Sequence, residues 1–399
     1  MAELYVSTSG SDANNGTRNS PFKTIEKASV AAKGGTTVHV APGTYEGGIT
    51  TETDGVTYVS DVKWGAKIVP GASSDQREAW INYGDDVTID GFEVDGSRTR
   101  GGTPWLYGIY TGGSDSVVRN NKVHDLLRGS AAMNAASGGQ GGAGIMADGW
   151  AGGTDIAVTG NTVYNIGPDG ADSTLVHGIY MATRGEVRNN TVYDVVGDGI
   201  TSWHDATALT ITGNTVYGVN GAGIMIGAGD HNQRSGPNDD SKVSDNRVYD
   251  NRKGIEENGD TGSNNTFTGN DVHDNGTDWA LQDGRRSGSA PRASAAAPDT
   301  DTDTNTDAGG RGVVPGSADD DTLSGTAEGD VFSFAPHSGQ DVITDFNPLD
   351  DQIQLTGGQD WTVDATADGD ALISFTASDT VTLTGVRPDQ INAGLFITG

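Results

Sequence analysis

Side chains that can transfer protons or neutralise charge gather around a short motif that recurs along the chain, Gly-Ile followed by alternating residues. Histidine accepts protons near neutral pH, tyrosine can donate one, and lysine or arginine can neutralise a carboxylate. Five such residues stand in or beside copies of the motif: His177, Tyr180, Arg184, His204 and Lys253. They supply a base, an acid and a cation, the three groups that β-elimination on a uronate sugar requires.

β-Elimination begins when a cation neutralises the carboxylate of the sugar and so acidifies the neighbouring C5 proton. We predict that Arg184 or Lys253 is this cation and that His177 or His204 removes the proton. Tyr180 then protonates the leaving oxygen. An epimerase would share the first step and return a proton from the opposite face of the sugar, so that reaction remains an alternative.

Aromatic and acidic side chains near the same motif are candidates for contact with a substrate. Trp203 offers a flat apolar surface to a sugar ring, and Tyr110 occupies the position of Tyr180 in an earlier copy of the motif. The acidic candidates are Asp205, Asp230 and Glu256. Hydrolysis needs two carboxylates about 5–9.5 Å apart. These acids and Glu257 could supply them, so a glycoside hydrolase is a second alternative.

A second repeat explains how residues far apart in sequence come together. A valine follows each repeated asparagine by two positions and stands between polar neighbours, a period that indicates short β-strands. Repeats at intervals of a few tens of residues indicate a solenoid. We therefore predict an all-β protein built on a right-handed parallel β-helix. The repeated asparagines are Asn121, Asn161, Asn190, Asn214, Asn246 and Asn270.

Equivalent segments of a parallel β-helix stack about 4.8 Å apart, so the copies of Gly-Ile should form the rungs of one wall. The isoleucine of each copy then points inward, and the residue after it points outward. We therefore expect the candidate residues to share one face of the solenoid. The predicted outward column is Tyr110, Met146, Tyr180, Thr201, Met225 and Glu256.

The composition excludes several classes of function. The net charge of the 399-residue chain is -31, and nucleic acid is a poor partner because phosphate binding needs basic surface. The chain has no cysteine, and its 34% hydrophobic residues against 61 glycines suit short strands and turns. No apolar stretch is long enough to span a membrane. We expect a monomer without a membrane partner.

The N-terminal segment predicts a cap for the solenoid, whose open end would otherwise expose its apolar interior. Ser20-Pro21 predicts the start of a short helix, and Gly34-Gly35 predicts its end. The sequences YVSTSGSDANNGT, SPFKTIEKA and GGTTVHVAPGTY, within about the first 45 residues, resemble the opening of right-handed parallel β-helix polysaccharide lyases, close to the family 9 pectate lyases. The similarity continues at the level of the fold to about residue 284.

This resemblance implies that residues 1–284 form a catalytic domain for a uronate-containing polysaccharide such as alginate or pectate. The leading hypothesis is a polysaccharide lyase, but the superfamily also includes epimerases and glycoside hydrolases, and fold alone does not choose between them. The Asp-Pro-His motif of mannuronan-type C5-epimerases is absent, which disfavours that activity. A glycan-binding protein without catalysis is the remaining alternative.

Residues 285–314 are rich in Ser, Ala, Pro, Thr and Asp and predict a disordered linker to a small domain at 315–399. The nonapeptides GSADDDTLS and GTAEGDVFS fit a calcium-binding repeat, with Asp321 and Asp330 as ligands and Asp319 as a further candidate. This segment resembles the C-terminal domain of RTX and serralysin-type proteins. The resemblance implies Ca²⁺ binding, a partnership with type I secretion machinery and an extracellular location.

Overall fold

A computed structural model divides the chain into two compact units, Met1–Pro291 and Arg292–Gly399. In the first unit the described residues are 2–71, 77–97, 105–127, 141–150, 152–167, 174–231 and 236–282. In the second they are 313–316, 321–323, 330–335, 338–344, 346–348, 351–355, 361–366, 369–375, 379–384, 386–391 and 395–398. The predicted linker, residues 285–314, lies almost wholly outside these ranges, so it stays a prediction.

The first unit winds through three parallel sheets, named A, B and C in chain order. Sheet A contains β1 (Ala2–Val6), β2 (Thr36–Val40), β5 (Thr57–Ser60), β8 (Thr88–Asp90), β11 (Val117–Arg119), β14 (Ile156–Thr159), β17 (Gly185–Arg188), β20 (Thr210–Thr212), β23 (Lys242–Ser244) and β26 (Thr266–Thr268). Sheet B contains β3 (Gly43–Glu46), β6 (Ala66–Val69), β9 (Glu93–Asp95), β12 (Lys122–Leu126), β15 (Thr162–Ile166), β18 (Thr191–Val195), β21 (Thr215–Tyr217), β24 (Arg247–Tyr249) and β27 (Asp271–His273). Sheet C contains β4 (Ile49–Thr51), β7 (Glu78–Asn82), β10 (Tyr107–Thr111), β13 (Gly142–Asp148), β16 (Val176–Ala182), β19 (Asp198–Ser202), β22 (Ala222–Ala228), β25 (Lys253–Gly259) and β28 (Trp279–Ala280). Successive coils supply neighbouring strands, which confirms the predicted all-β, right-handed parallel β-helix.

Stacked side chains hold these coils in register. Val163 and Val192 pair across sheet B and are fully buried, as the inward position of the repeat predicts. The repeated asparagines form a buried ladder, in which Asn161 Nδ2 donates to Asn190 Oδ1 at 3.0 Å and Asn190 Nδ2 donates to Asn214 Oδ1 at 2.9 Å. Each rung satisfies polar groups that would be costly to bury unpaired, so the ladder favours a single register.

The copies of Gly-Ile stack in sheet C. Strand pairing joins Ile109, Ile145, Ile179, Ile200, Ile224 and Ile255, and all six are buried. The same pairing aligns the predicted outward column from Tyr110 to Glu256. Glycine is needed before the isoleucine because sheet B packs closely against it: a Cβ at Gly178 or Gly199 would lie 2.4 Å from a valine methyl group.

A short helix, α1 (Ile25–Ala31), packs its apolar face against the first coils. The predicted start at Ser20-Pro21 is wrong, because the helix begins after its N-cap, Thr24. Asp12 Oδ1 accepts the backbone N–H of Thr24 at 3.0 Å, which holds the preceding segment in an extended conformation. No helix among the described residues has the length and apolar character needed to cross a membrane.

The second unit is also built of β-strands. Four of them, β29 (Val313–Pro315), β31 (Val331–Phe334), β33 (Gln352–Leu355) and β37 (Phe396–Thr398), form a parallel sheet. The other sheet joins β30 (Thr322–Leu323), β32 (Gln340–Ile343) and β36 (Thr380–Leu383) in parallel and adds β35 (Ala371–Ser374) and β34 (Thr362–Ala365) antiparallel. A 3-10 turn at Pro388–Gln390 precedes β37. Phe332 and Phe334 lie at the centre of its core.

Candidate active site

A cavity of about 530 Å³ opens on the outer face of sheet C. Its walls come mainly from the successive strands β16, β19, β22 and β25 and the residues next to them. Five of the residues predicted from sequence meet there: His177, Tyr180, Trp203, Lys253 and Glu256. Asp198 is also part of the wall. Because the rungs stack, four successive coils contribute side chains to one cavity. These side chains are an imidazole, a phenol, an ammonium group, two carboxyl groups and an indole.

His177 and Asp198 occupy paired positions on β16 and β19 and lie side by side. The distance from His177 Nδ1 to Asp198 Oδ2 is 3.7 Å, and Nδ1 has no hydrogen-bond partner among the described residues. Burial lowers the pKa of His177 to about 3, so the imidazole is neutral and able to accept a proton. Burial raises the pKa of Asp198 to about 6, although the backbone N–H of Ala222, which donates to Asp198 Oδ1 at 2.8 Å, acts in the opposite direction.

The ring of Tyr180 lies near the rings of both histidines that were predicted from the sequence, His177 and His204. Its ring centroid lies 4.7 Å from that of His177 and 6.0 Å from that of His204. Burial raises the pKa of Tyr180 above its ordinary value, so the phenol keeps its proton and acts as a donor. His204 does not border the cavity; its Nδ1 lies 3.1 Å from the backbone oxygen of Asp230.

Positive charge reaches the cavity from the start of β25. Lys253 Nζ pairs with Glu256 Oε1 at 2.6 Å, and Arg252 borders the cavity beside it. The lysine side chain is partly exposed, whereas the carboxylate of Glu256 is largely covered. A bound carboxylate can therefore approach Lys253 from solvent while Glu256 fixes the position of the ammonium group.

The indole of Trp203 packs closely against the backbone of three glycines. A Cβ built on Gly227, Gly229 or Gly259 would come within 2.7, 2.8 or 2.4 Å of its indole, respectively. The close approach of the backbone leaves the ring no room to move toward those strands. Trp203 also borders the cavity, so it presents a fixed apolar surface to whatever enters.

Two other predicted residues, Arg184 and Tyr110, lie apart from the cavity. Arg184 forms an exposed, two-pronged ion pair with Asp155 at the turn after β16, and its side chain is 51% exposed. Tyr110 donates a hydrogen bond to Asp148 Oδ2 at 2.7 Å in coils nearer the N-terminus. The structure therefore assigns Lys253, rather than Arg184, to the wall of the cavity.

The acidic candidates after β19 and β22 also lie away from the cavity wall. Asp205 is buried, with its Oδ1 3.6 Å from His231 Nδ1. Asp230 is exposed and adopts a left-handed backbone with φ of 51°. Neither borders the cavity, although both follow strands that form it.

Comparisons with known proteins agree with this architecture. Residues 107–290 match the family model described as right handed beta helix region, and residues 8–55 match one described as protein of unknown function (DUF1565). The larger unit is a right-handed β-helix. The uncharacterized protein YwoF of Bacillus subtilis (strain 168) is 31% identical over 134 residues, which cover 31% of this chain and only 29% of that protein.

Several solved structures are similar to the chain at low identity. Pectate lyase Pel9A is 17% identical with a TM-score of 0.49, over 74% of this chain and 82% of that one. XylC, in its complex with xylose, is 13% identical with a TM-score of 0.46, over 83% and 69%. The A-module of mannuronan C-5 epimerase AlgE6 from Azotobacter vinelandii is 13% identical with a TM-score of 0.44, over 83% and 79%. Similarity at this level carries no argument about activity, which depends on the side chains of the cavity.

Asp198 and Arg252 are charged residues of the cavity that the sequence prediction left out of the site. Asp198 stands two residues before Ile200, just as His177 stands two before Ile179 and Lys253 two before Ile255. This shared position was the signal available in the sequence. What it did not reveal is the burial that changes the pKa of Asp198, because burial depends on the neighbouring coils.

The acids of the cavity do not fit a calcium ion. Asp198 Oδ1 already accepts the backbone N–H of Ala222 at 2.8 Å, and Glu256 is already paired with Lys253. Among the described residues, one group has ligand atoms close enough together for a metal: Asp95, His124 and Asp125, in sheet B. There His124 Nδ1 contacts Asp125 at 2.6 Å and its Nε2 contacts Glu93 at 3.0 Å, so both ring nitrogens are engaged.

Two of the three calcium ligands predicted in the second unit, Asp321 and Asp330, lie among the described residues. Asp319 lies outside the described residues. The backbone N–H of Asp321 donates to Asp341 Oδ1 at 3.0 Å, and that of Asp330 donates to Asp351 Oδ1 at 2.8 Å. Carboxylates thus cap successive coils here, as amides do in the first unit, and Ca²⁺ binding by this unit stays a prediction.

Proposed function

We propose that the β-helix unit is a polysaccharide lyase that cleaves an anionic, uronate-containing glycan of the alginate or pectate type in the sheet C cavity. The observation that carries this proposal is the placement of the neutral His177 beside Asp198, with Lys253 on the same cavity wall. Together with Tyr180 as the acid, they bring into one cavity the base, acid and cation that β-elimination requires. Trp203 supports the sugar ring.

The reaction divides between three side chains of the cavity. Lys253, with Arg252 beside it, binds the uronate carboxylate and stabilises the negative charge that develops when the C5 proton leaves. The imidazole of His177 accepts that proton. The electrons of the C5–H bond form the C4–C5 double bond, the C4–O bond breaks, and Tyr180 protonates the departing oxygen. No step passes through a calcium ion.

Asp198 makes this base dependent on pH. Above a pH of about 6 its carboxylate ionises and places a negative charge 3.7 Å from His177 Nδ1, which increases the affinity of the imidazole for a proton. The two groups titrate as a coupled pair. A lyase that uses them should gain activity as the pH rises through about 6.

The raised pKa of Asp198 also supports one alternative, a glycoside hydrolase. A carboxyl group that keeps its proton beside an ionised one is the usual arrangement for glycosidic bond hydrolysis, and Asp198 and Glu256 border the same cavity. Asp198 would then donate its proton to the leaving oxygen. A hydrolase of this kind should lose activity as the pH rises through about 6, opposite to the lyase.

The experiment is incubation of the full chain with purified alginate, pectate and a matched neutral glycan across this pH range. The ultraviolet absorbance of an unsaturated uronate, increasing above pH 6, is the expected result. New reducing ends without that absorbance, strongest below pH 6, would replace the lyase by a hydrolase. A change in uronate composition without cleavage would indicate an epimerase, and binding without any product would indicate a glycan-binding protein. His177→Ala should abolish the absorbance, whereas Arg188→Gln, on sheet A, is the matched control.

The remaining parts of the proposal concern how the protein reaches its substrate. We propose that the chain is exported by type I secretion machinery, with Ca²⁺ binding to the second unit outside the cell. Its support is the pair of Asp-rich nonapeptides and the two-sheet β structure around them. Calcium-dependent protection of residues 316–399 from proteolysis would test it, and protection that is equal in a chelator would refute it.

A further inference from the structure

The corner between β5 and β6 differs from the corners that follow it. Five residues, 61–65, separate these strands, whereas two separate β8 from β9. Trp64 stands in this corner with φ of 62°, in the left-handed region. In later corners the left-handed residue is Gly, Asn or Asp: Gly91, Asn120, Gly160, Asn189, Gly213, Asp245 and Gly269. Those residues tolerate the conformation, whereas a tryptophan is strained in it.

The ring of Trp64 is nevertheless held in one place. Its Nε1 donates to the backbone oxygen of Asn120 at 2.8 Å, and its backbone N–H donates to that of Gly91 at 2.6 Å. The side chain therefore reaches across one coil to the next and stays partly exposed. Strained residues that the surrounding structure fixes in this way are concentrated at binding and catalytic sites.

Two lysines converge on this ring. Lys63 Nζ lies 4.6 Å and Lys122 Nζ 4.5 Å from its centroid. Burial lowers the pKa of both lysines, and the carboxylates of Asp90 near Lys63 and Glu93 near Lys122 act in the opposite direction. For Lys122 the positive charge of Lys67 and Lys63 adds to the lowering. Like charges have thus been brought together in a chain whose net charge is -31.

The carboxylates near these lysines form their direct ion pairs with other residues. Asp90 accepts from Arg119 Nε at 2.8 Å. Glu93 pairs with Lys67 at 2.9 Å and contacts His124 at 3.0 Å. In the part of the chain that the structure describes, neither Lys63 nor Lys122 forms an ion pair of its own. Two ammonium groups beside an indole match a ligand that has both a negative charge and an apolar face.

We propose that Trp64, Lys63 and Lys122 form an accessory binding site for an anionic sugar, separate from the sheet C cavity. The carboxylate of the sugar binds the two ammonium groups, and the apolar part of the ring contacts the indole. The class of ligand rests on the proposed function. Because this corner lies between sheets A and B, the site anchors a chain at a place other than the one where it is cleaved.

The test uses the full chain with Trp203→Ala, which weakens the cavity as a competing site. The probes are an oligouronate, the matched neutral oligosaccharide and inorganic sulfate, and their binding is measured by titration calorimetry. Binding of the oligouronate should weaken as the salt concentration rises, because salt screens the attraction between its carboxylate and the two ammonium groups.

Trp64→Gly is the decisive variant, since glycine occupies the left-handed position in other corners and relieves the strain. It should weaken oligouronate binding at least roughly 10-fold, and Lys122→Gln should do the same. Lys242→Gln, on sheet A, is the control. Unchanged affinity in a folded Trp64→Gly chain would overturn the site, as would equal binding of the neutral oligosaccharide or of sulfate.

Measuring whether the unsubstituted chain cleaves a glycan distinguishes the accessory site from the proposed lyase activity. Oligouronate binding that depends on Trp64 in a chain that cleaves no glycan would refute the lyase and support the accessory site. Cleavage with normal binding after Trp64→Gly would support the lyase and overturn the accessory site.

Discussion

Replacing Asp198 by asparagine should stabilise the β-helix unit and remove its activity together. Asparagine keeps the shape of the side chain, and its Oδ1 can still accept the N–H of Ala222, which now donates at 2.8 Å. What disappears is a charge that burial opposes, since only 15% of the Asp198 side chain is exposed. The stability gain should therefore appear only at pH values where the wild-type carboxyl is ionised.

The size of the effect follows from the pKa of Asp198, about 6 in the folded chain against an ordinary value of 3.8. Between those values the unfolded chain releases a proton that the folded chain keeps, so wild-type stability falls as the pH rises through this window. About two units at ~1.4 kcal/mol each give a ceiling of about 3 kcal/mol. We expect about 1–3 kcal/mol above pH 6, because water and neighbouring dipoles relax around the charge.

Urea unfolding of the wild type and of Asp198→Asn over this pH range measures the difference. The advantage of asparagine should be complete above about pH 6 and vanish below about pH 4. Asp86→Asn, in an exposed turn, is the control and should show no such dependence. An advantage that is independent of pH, or larger in acid, would refute the burial argument. Substantial turnover by Asp198→Asn would show that neither reaction proposed for this cavity uses the carboxyl group.

Three further changes test the cation, the tryptophan and the ladder. Lys253→Gln should lower kcat/KM on an anionic glycan roughly 100-fold, whereas Arg184→Gln should change it less than about 2-fold, because its ion pair with Asp155 is exposed; initial rates with the opposite ranking would make Arg184 the neutralising cation. A Cβ at Gly259 would lie 2.4 Å from the indole of Trp203, so Gly259→Ala should displace the ring, raise KM roughly 10-fold and alter the near-ultraviolet circular dichroism; an unchanged KM would contradict the close packing of the indole on these glycines. Asn190→Ala should lower the free energy of unfolding in urea by about 2–4 kcal/mol, because the neighbouring rungs lose buried hydrogen bonds; a loss under about 0.5 kcal/mol would mean that the ladder does not stabilise the coils.

The architecture could be predicted because the side-chain period of a strand and the intervals of the repeat leave few alternatives. Each Gly-Ile copy encodes its own place in a rung: glycine where sheet B packs closely, isoleucine inward, and a polar or aromatic residue outward. The meeting of His177, Tyr180, Lys253 and Glu256 follows from that register alone.

Residues beyond the ends of the rungs could not be placed in the same way. Arg184 follows β16 and turns toward Asp155, a residue of the preceding coil, instead of toward the cavity. Asp205 and Asp230 stand in the turns after β19 and β22. Their directions depend on turn geometry and on partners in other coils, which a period of two residues does not encode.

The cavity lies beside a small residue that stands between larger ones in the same column. The position two residues before the stacked isoleucines is occupied by His177 on β16, Asp198 on β19, Ala222 on β22 and Lys253 on β25. Ala222 leaves space between the carboxyl group and the ammonium group, and the adjoining Gly221 borders the same space. A longer side chain at the position of Ala222 would fill this space and close the cavity. The alanine therefore contributes to the space between these side chains, and the burial around that space accounts for the unusual protonation of the acid and the base beside it.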